Sequence, residues 1–183
     1  MFKNLIIYTT VLILFMLSCT QKSEYEMMVE RGLNSDRTVN EIFLGYEFGM
    51  TRQEFLDKSW QMNQDQIISG GTKVEYFLEE LNSTVKLDFF PEFKDGEIFK
   101  MPVTANYIAW SPWNEQYNSD NLIENLKDYY EKIYSTEFIE IVTPQNENIY
   151  WISIEGNREI RMYKKSNNTI QIDFTDLCKI YKN

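Results

Sequence analysis

Residues 73–81 (KVEYFLEEL) and 84–90 (TVKLDFF) alternate apolar and polar side chains, and this alternation limits the folds open to the chain more than any other feature. A period of two puts Val74, Tyr76 and Leu78 on one face of an extended strand, and Val85, Leu87 and Phe89 on one face of the next. The pair predicts an antiparallel hairpin turning at Asn82-Ser83, with one face that needs a cover. Two segments with helical spacing can provide it. One runs over residues 52–62 and presents Phe55, Leu56 and Trp60; the other runs over 121–134, with Leu122, Leu126, Tyr129, Tyr130 and Ile133 on one stripe. Further strands are predicted at 98–110, 138–142, 149–155, 158–164 and 169–174. Asp95-Gly96 and Gly156-Asn157 supply turns, and Pro102 confines the 98–110 strand to an edge or a bulge. The order helix, strands, helix, strands predicts an α+β fold of two tandem helix-plus-antiparallel-sheet units, 41–118 and 119–183, packed as one globular body.

The sharpest local signal is the start of the first helix. In Thr51-Arg52-Gln53-Glu54 the Thr51 hydroxyl can accept from the Glu54 amide while the Glu54 carboxylate reaches back to the Thr51 amide, which is a capping box. Met50 and Phe55 flank it as a hydrophobic staple, and Gly49 lets the chain turn sharply into the helix.

Ahead of the body, residues 5–17 (LIIYTTVLILFML) carry no charge and follow a short segment containing Lys3. As a helix they cover roughly 20 Å, at about 1.5 Å per residue, against a hydrocarbon core of about 30 Å. The stretch is too short to span a bilayer and has the layout of a signal peptide. Met16-Leu17-Ser18-Cys19 resembles the lipobox of bacterial lipoproteins, with Ser18 as the small residue before the cysteine and Met16 where leucine is commonest. The resemblance implies cleavage between Ser18 and Cys19, acylation of Cys19, and residues 1–18 lost as the signal peptide. At about 0.8 kcal/mol per buried methylene, several acyl chains make attachment effectively permanent. Residues 19–40, the acylated cysteine and a polar stretch without sustained periodicity, read as a flexible tether with at most a transient helical turn at 25–33.

Composition excludes much chemistry. The chain has 18 basic and 28 acidic residues, and loss of residues 1–18 removes only Lys3 among them, so nucleic acid is not an expected partner. The basic clusters at 158–165 and 179–182 are short and read as the solvated face of a strand. There is no histidine, which removes Ser-His-Asp and Cys-His catalysis and the commonest transition-metal ligand. A glycosidase relying on two carboxylates alone survives. Glu79, Glu80 and Asp88, or Asp173 and Asp176, are acids grouped closely enough to consider, but none has calcium-loop spacing and each reads as acidic surface. With Cys19 acylated, Cys178 has no pairing partner and reads as a buried small hydrophobe. No catalytic residue, metal or cofactor is predicted.

The run Gly49-Met50-Thr51-Arg52-Gln53-Glu54-Phe55, with the lipobox and the element order, resembles the SmpA/OmlA lipoproteins, which share an α-β architecture with the β-lactamase inhibitor proteins. The chain departs from that family after the helix, where Trp60-Gln61-Met62-Asn63 replaces a Leu-Gly-x-Pro-like turn. The resemblance implies a non-enzymatic binding or assembly module at the bacterial cell envelope, lipid-anchored at the outer membrane, on its periplasmic or its surface face.

The candidate contact residues are aromatic. Tyr107, Trp110, Trp113 and Tyr117 surround a Ser111-Pro112 turn, and exposed rings of this kind anchor a protein partner or stack on a sugar. Tyr107 and Trp110 are also predicted strand residues, which favours packing for those two. The expectation is a protein partner in the envelope, with a cell-surface glycan as the alternative and a carboxylate glycosidase behind both.

Overall fold

The computed structural model describes residues 22–143 and 148–182. Their helices are α1 (Glu24–Leu33), α2 (Arg52–Gln64), α3 (Ser119–Tyr134) and α4 (Leu177–Tyr181). The strands are β1 (Ser69–Gly70), β2 (Val74–Leu78), β3 (Val85–Phe89), β4 (Glu92–Lys94), β5 (Glu97–Tyr107), β6 (Ile139–Val142), β7 (Ile149–Glu155), β8 (Arg158–Lys164) and β9 (Ile170–Asp176). All nine join one antiparallel sheet in the order β1-β2-β3-β5-β9-β8-β7-β6, with β4 on β5. The fold is thus α+β and mostly sheet. Strands formed before α3 make one half and strands formed after it the other, and the halves meet where β5 pairs with β9 from Lys100↔Thr175 to Ala105↔Ile170.

Alternation sorts the sheet into two faces. Val85, Leu87 and Phe89 of β3, Met101, Val103 and Ala105 of β5, Ile170, Ile172 and Phe174 of β9, and Ile160 and Met162 of β8 form the covered face and are buried. α3 lies on it with Leu122, Ile123, Leu126 and Tyr130, while α2 contributes Phe55. Phe43 packs edge-on against Phe89 at 4.8 Å between ring centres, and Tyr46 lies 5.1 Å from Phe55. Each such ring taken fully from water contributes about 2–3 kcal/mol.

Several expectations need correction. α2 buries Phe55, half-buries Ser59 and Met62 on the same row, and leaves Leu56 and Trp60 45% and 68% exposed. At 100° per residue those two lie on a neighbouring stripe. Ile133 of α3 is likewise exposed, and Ile123 takes the buried place instead. The β2–β3 hairpin closes at Leu78↔Val85, so residues 79–84 form a longer loop than the Asn82-Ser83 turn. Pro102 stands in the central strand β5, not at an edge, at the point where its neighbour on one side changes from β4, last paired at Lys100, to β3, first paired at Val103. A residue without an N–H falls where that ladder is interrupted anyway.

The largest correction concerns the tether. Ser23 and Glu26 form a second capping box, with Ser23 N donating to Glu26 Oε2 at 2.8 Å and Glu26 N to Ser23 Oγ at 3.2 Å, and α1 follows. α1 packs on the other face of the sheet at β7 and β8: Val29 is buried, and the Tyr25 hydroxyl donates to Glu159 Oε2 at 2.7 Å. A Cβ on Gly32 would stand 2.6 Å from the Gly156 carbonyl oxygen. The expected cleavage and acylation site, Ser18 and Cys19, lies outside the described residues. Among the described residues no helix is long and apolar enough to cross a membrane.

Candidate binding face

The face opposite the core is built by the polar half of the same alternation. Lys86 of β3 bonds Glu75 of β2 at 2.9 Å and Asp88 at 3.1 Å; Lys100 of β5 bonds Asp173 of β9 at 3.0 Å. Arg161 of β8 bonds Glu159 at 3.0 Å. These pairs hold the Lys86 ammonium above the usual lysine range, because the Glu75 and Asp88 carboxylates bond its charged form. The Lys86 pairs, partly open to solvent, contribute at most about 1 kcal/mol each, so their effect is to order the side chains rather than to stabilise the fold.

α1 and α4 wall one end of this face around a hollow of about 360 Å³ lined by Tyr25, Lys100, Arg161, Asp173 and Tyr181. The Arg161 guanidinium stands 5.1 Å from the Tyr25 ring centre. Burial and the neighbouring Glu159 carboxylate push the Tyr25 hydroxyl well above the ordinary tyrosine range, so it stays protonated and holds α1 to the sheet as a donor. Beyond the helices, over β2 and β3, the Glu75 and Lys86 side chains remain open to solvent.

The aromatic loop divides. Tyr107 is buried on the covered face, its hydroxyl accepts from Asn125 Nδ2 at 2.6 Å, and its ring lies 5.3 Å from that of Tyr117. Trp110 and Tyr117 are half-buried against the core. Only Trp113 projects, 86% exposed. Three of the four rings are therefore committed to packing.

The helix-start motif is also structural. Gly49, at φ 84°, donates its N–H to the Ile98 carbonyl at 2.9 Å, and Ile98 N–H donates to Met50 O at 2.8 Å, tying the start of α2 to β5. Thr51 N–H donates to Glu54 Oε2 at 2.7 Å, Glu54 N–H to Thr51 Oγ1 at 3.3 Å, and Phe55 seats in the core.

The grouped acids separate into structural roles. Asp88 and Asp173 are in the ion pairs above. Asp176 caps α4 by accepting from Cys178 N–H at 3.0 Å and also accepts from Asn157 Nδ2 at 2.9 Å, while Glu80 accepts from the Glu79 amide at 3.0 Å. Among the described residues no three acidic or thiol side chains stand close enough to hold a metal ion. Cys178 is half-buried in α4 rather than fully enclosed. The two basic clusters are not one solvated strand face: Lys179 and Lys182 belong to the C-terminal helix and its cap. Arg158 is buried, bonded to Glu155 at 2.6 Å and to the Glu41 carbonyl at 3.1 Å, with its guanidinium 4.2 Å from the Tyr134 ring centre.

Compared with family models, with curated proteins and with solved structures, the chain matches none.

Proposed function

We propose that the protein is an envelope lipoprotein, acylated at Cys19 and held at the outer membrane, whose folded body is a non-enzymatic protein-binding or assembly module. The observation that carries this reading is the ordered polar face over β2, β3, β5 and β9, where cross-strand ion pairs present alternating charge to solvent while the other face is spent on the core. Charge arranged in this way selects partners and steers their approach more than it adds affinity. The division of the sheet into halves before and after α3 supports, in the same sense, two tandem helix-plus-sheet units on the plan of the β-lactamase inhibitor proteins.

The test uses the acylated full chain as bait in detergent-solubilised envelope. A specific partner is expected with wild type and lost in the charge-reversed Lys86→Glu/Asp88→Lys protein, whose half-exposed positions face away from the core, with an unchanged circular dichroism spectrum as the check on folding. Equal recovery by both proteins removes the polar face from the proposal. In the same preparation, wild type is expected in the membrane fraction and Cys19→Ala in the soluble one; co-fractionation of the two removes the anchor. Trp113, alone on the surface of its loop, favours a second reading as a glycan-stacking residue. Glycan-array binding lost in Trp113→Ala would select it.

A further inference from the structure

A crevice of about 160 Å³ opens between α3, the β2–β3 hairpin and the turn at Leu44, on the covered side of the sheet and away from the polar face. Tyr76, Tyr129 and Tyr130 line it, and among the described residues none of their hydroxyls has a hydrogen-bond partner. Tyr130 is only 2% exposed. The Tyr130 hydroxyl is not sealed from solvent, so a ligand in the crevice can bond it in place of water. Tyr134, at the same crevice, already donates its proton to the Ile42 carbonyl and can only accept further bonds.

The surroundings specify the charge of such a ligand. Burial holds all four hydroxyls above the ordinary tyrosine range, Tyr129 to about 12, so they are uncharged and each oxygen can accept a bond. Glu41 lines the crevice, and the Glu79 and Glu80 carboxylates are near enough to act on Tyr76. The nearby cation, Arg158, is held by Glu155 and by the Glu41 carbonyl against the far ring, Tyr134, with its buried Nε left unbonded. The three carboxylates outnumber it, so the crevice favours a cation over an anion. The inner walls, Leu78 and Leu87, are apolar and buried. Leu44 reaches the crevice from a left-handed backbone at φ 52°, which bulky L-residues rarely adopt, followed by Gly45 at φ 70°.

We infer that this crevice binds an aliphatic cation, a primary ammonium or guanidinium group on an apolar stem, with the stem along Leu78 and Leu87 and the charge among the tyrosine oxygens and Glu41. Such a group can donate to the hydroxyl oxygens and to the Glu41 carboxylate, and its charge is favoured by the aromatic rings. The site is independent of the polar face, so failure of either reading leaves the other standing.

The experiment is an NMR titration of the folded chain, following the tyrosine ring resonances. Probes are n-butylammonium, n-butylguanidinium, the neutral isostere 1-pentanol, methyl glucoside and the peptide Gly-Gly-Lys-Gly-Gly. Saturable shifts of Tyr76, Tyr129 and Tyr130 are expected with a cation, at least tenfold tighter than with pentanol or the glucoside. Tyr130→Phe and Glu41→Gln should each weaken binding at least fivefold with an unchanged circular dichroism spectrum; Glu41 is exposed, so its variant reports on the site even if Tyr130→Phe disturbs packing. Saturation by the free cations identifies a small-amine site, and saturation by the peptide alone identifies a partner's lysine. Pentanol or glucoside binding as tightly as the cations, or no saturable shift with the cations or the peptide, overturns the inference.

Discussion

Gly156 and Gly49 both adopt positive φ, 60° and 84°, yet they differ in what an added methyl would meet. At Gly49 a Cβ has nothing within 4 Å; at Gly156 it falls 2.2 Å from the Arg37 carbonyl oxygen. The first substitution costs only the left-handed backbone, about 1 kcal/mol, whereas the second adds overpacking against backbone that cannot rotate away, about 1–3 kcal/mol more. Urea unfolding should therefore rank Gly156→Ala well below Gly49→Ala, with Gly49→Ala about 1 kcal/mol below wild type. The same contact shows how residues 37–39 are bound to the body, since Val39 N–H also donates to Asn157 Oδ1 at 2.7 Å. Equal losses at the two glycines would mean that this approach of strand and loop is not maintained in solution.

At the scale of elements, α1 and α2 begin with the same device, Ser23-x-x-Glu26 and Thr51-x-x-Glu54. In both, backbone N–H donation to the carboxylate, from Ser23 and from Thr51, holds the glutamate below its ordinary range. A folded-state value that is lowered gives stabilisation present above the unfolded value and lost as pH falls through the folded one. Amide protection in the first turns of α1 and α2 should drop on acidification below the ordinary glutamate range, while the β5–β9 ladder keeps its protection. Glu26→Gln and Glu54→Gln should flatten that loss; an unchanged acid limb would show that the boxes are not formed. The strands and α3 were legible because burial on one face imposes a period, and the Thr51 box was legible because its four residues suffice to define it. The Ser23 box was equally local, but the stripe after it, Tyr25, Met28, Val29 and Leu33, is short and set among charges, and α1 adds a Tyr25 hydrogen bond and a Gly32 close approach that no periodicity records. The tyrosine crevice depends on residues from a turn, β2 and α3 meeting in space, so the sequence showed Tyr129 and Tyr130 only as core. In the aromatic loop the strand reading placed Tyr107 correctly, and only the packing of Tyr117 on it separated Trp113 from its neighbours.

For the whole molecule, the helical state of residues 24–33 changes what acylation at Cys19 implies. Only residues 20–23 lie between the proposed anchor and α1, and fully extended they reach about 14 Å, since a residue spans at most about 3.5 Å. The flexible tether expected over residues 19–40 is replaced by a short leash. α1 in turn is fixed to the polar side of the sheet by Tyr25–Glu159 and by the Gly32–Gly156 approach, so its start, to which the proposed anchor would connect, lies on the side of the proposed binding face. A partner reaching that face must approach within a short distance of the bilayer, which favours a partner that is itself membrane-associated. Neutron reflectometry of the acylated chain on a supported bilayer should place the inner edge of the protein layer within about 15 Å of the headgroups. Inserting fifteen Gly/Ser residues after Lys22 adds roughly 20 Å of root-mean-square reach, and should thicken or lift that layer without altering partner affinity measured in detergent. If wild type already stands tens of ångströms off the membrane, α1 must detach from the sheet on anchoring, and the leash fails. If the insertion leaves detergent affinity intact but abolishes partner recovery from intact envelopes, the short leash itself sets which proteins the face can meet.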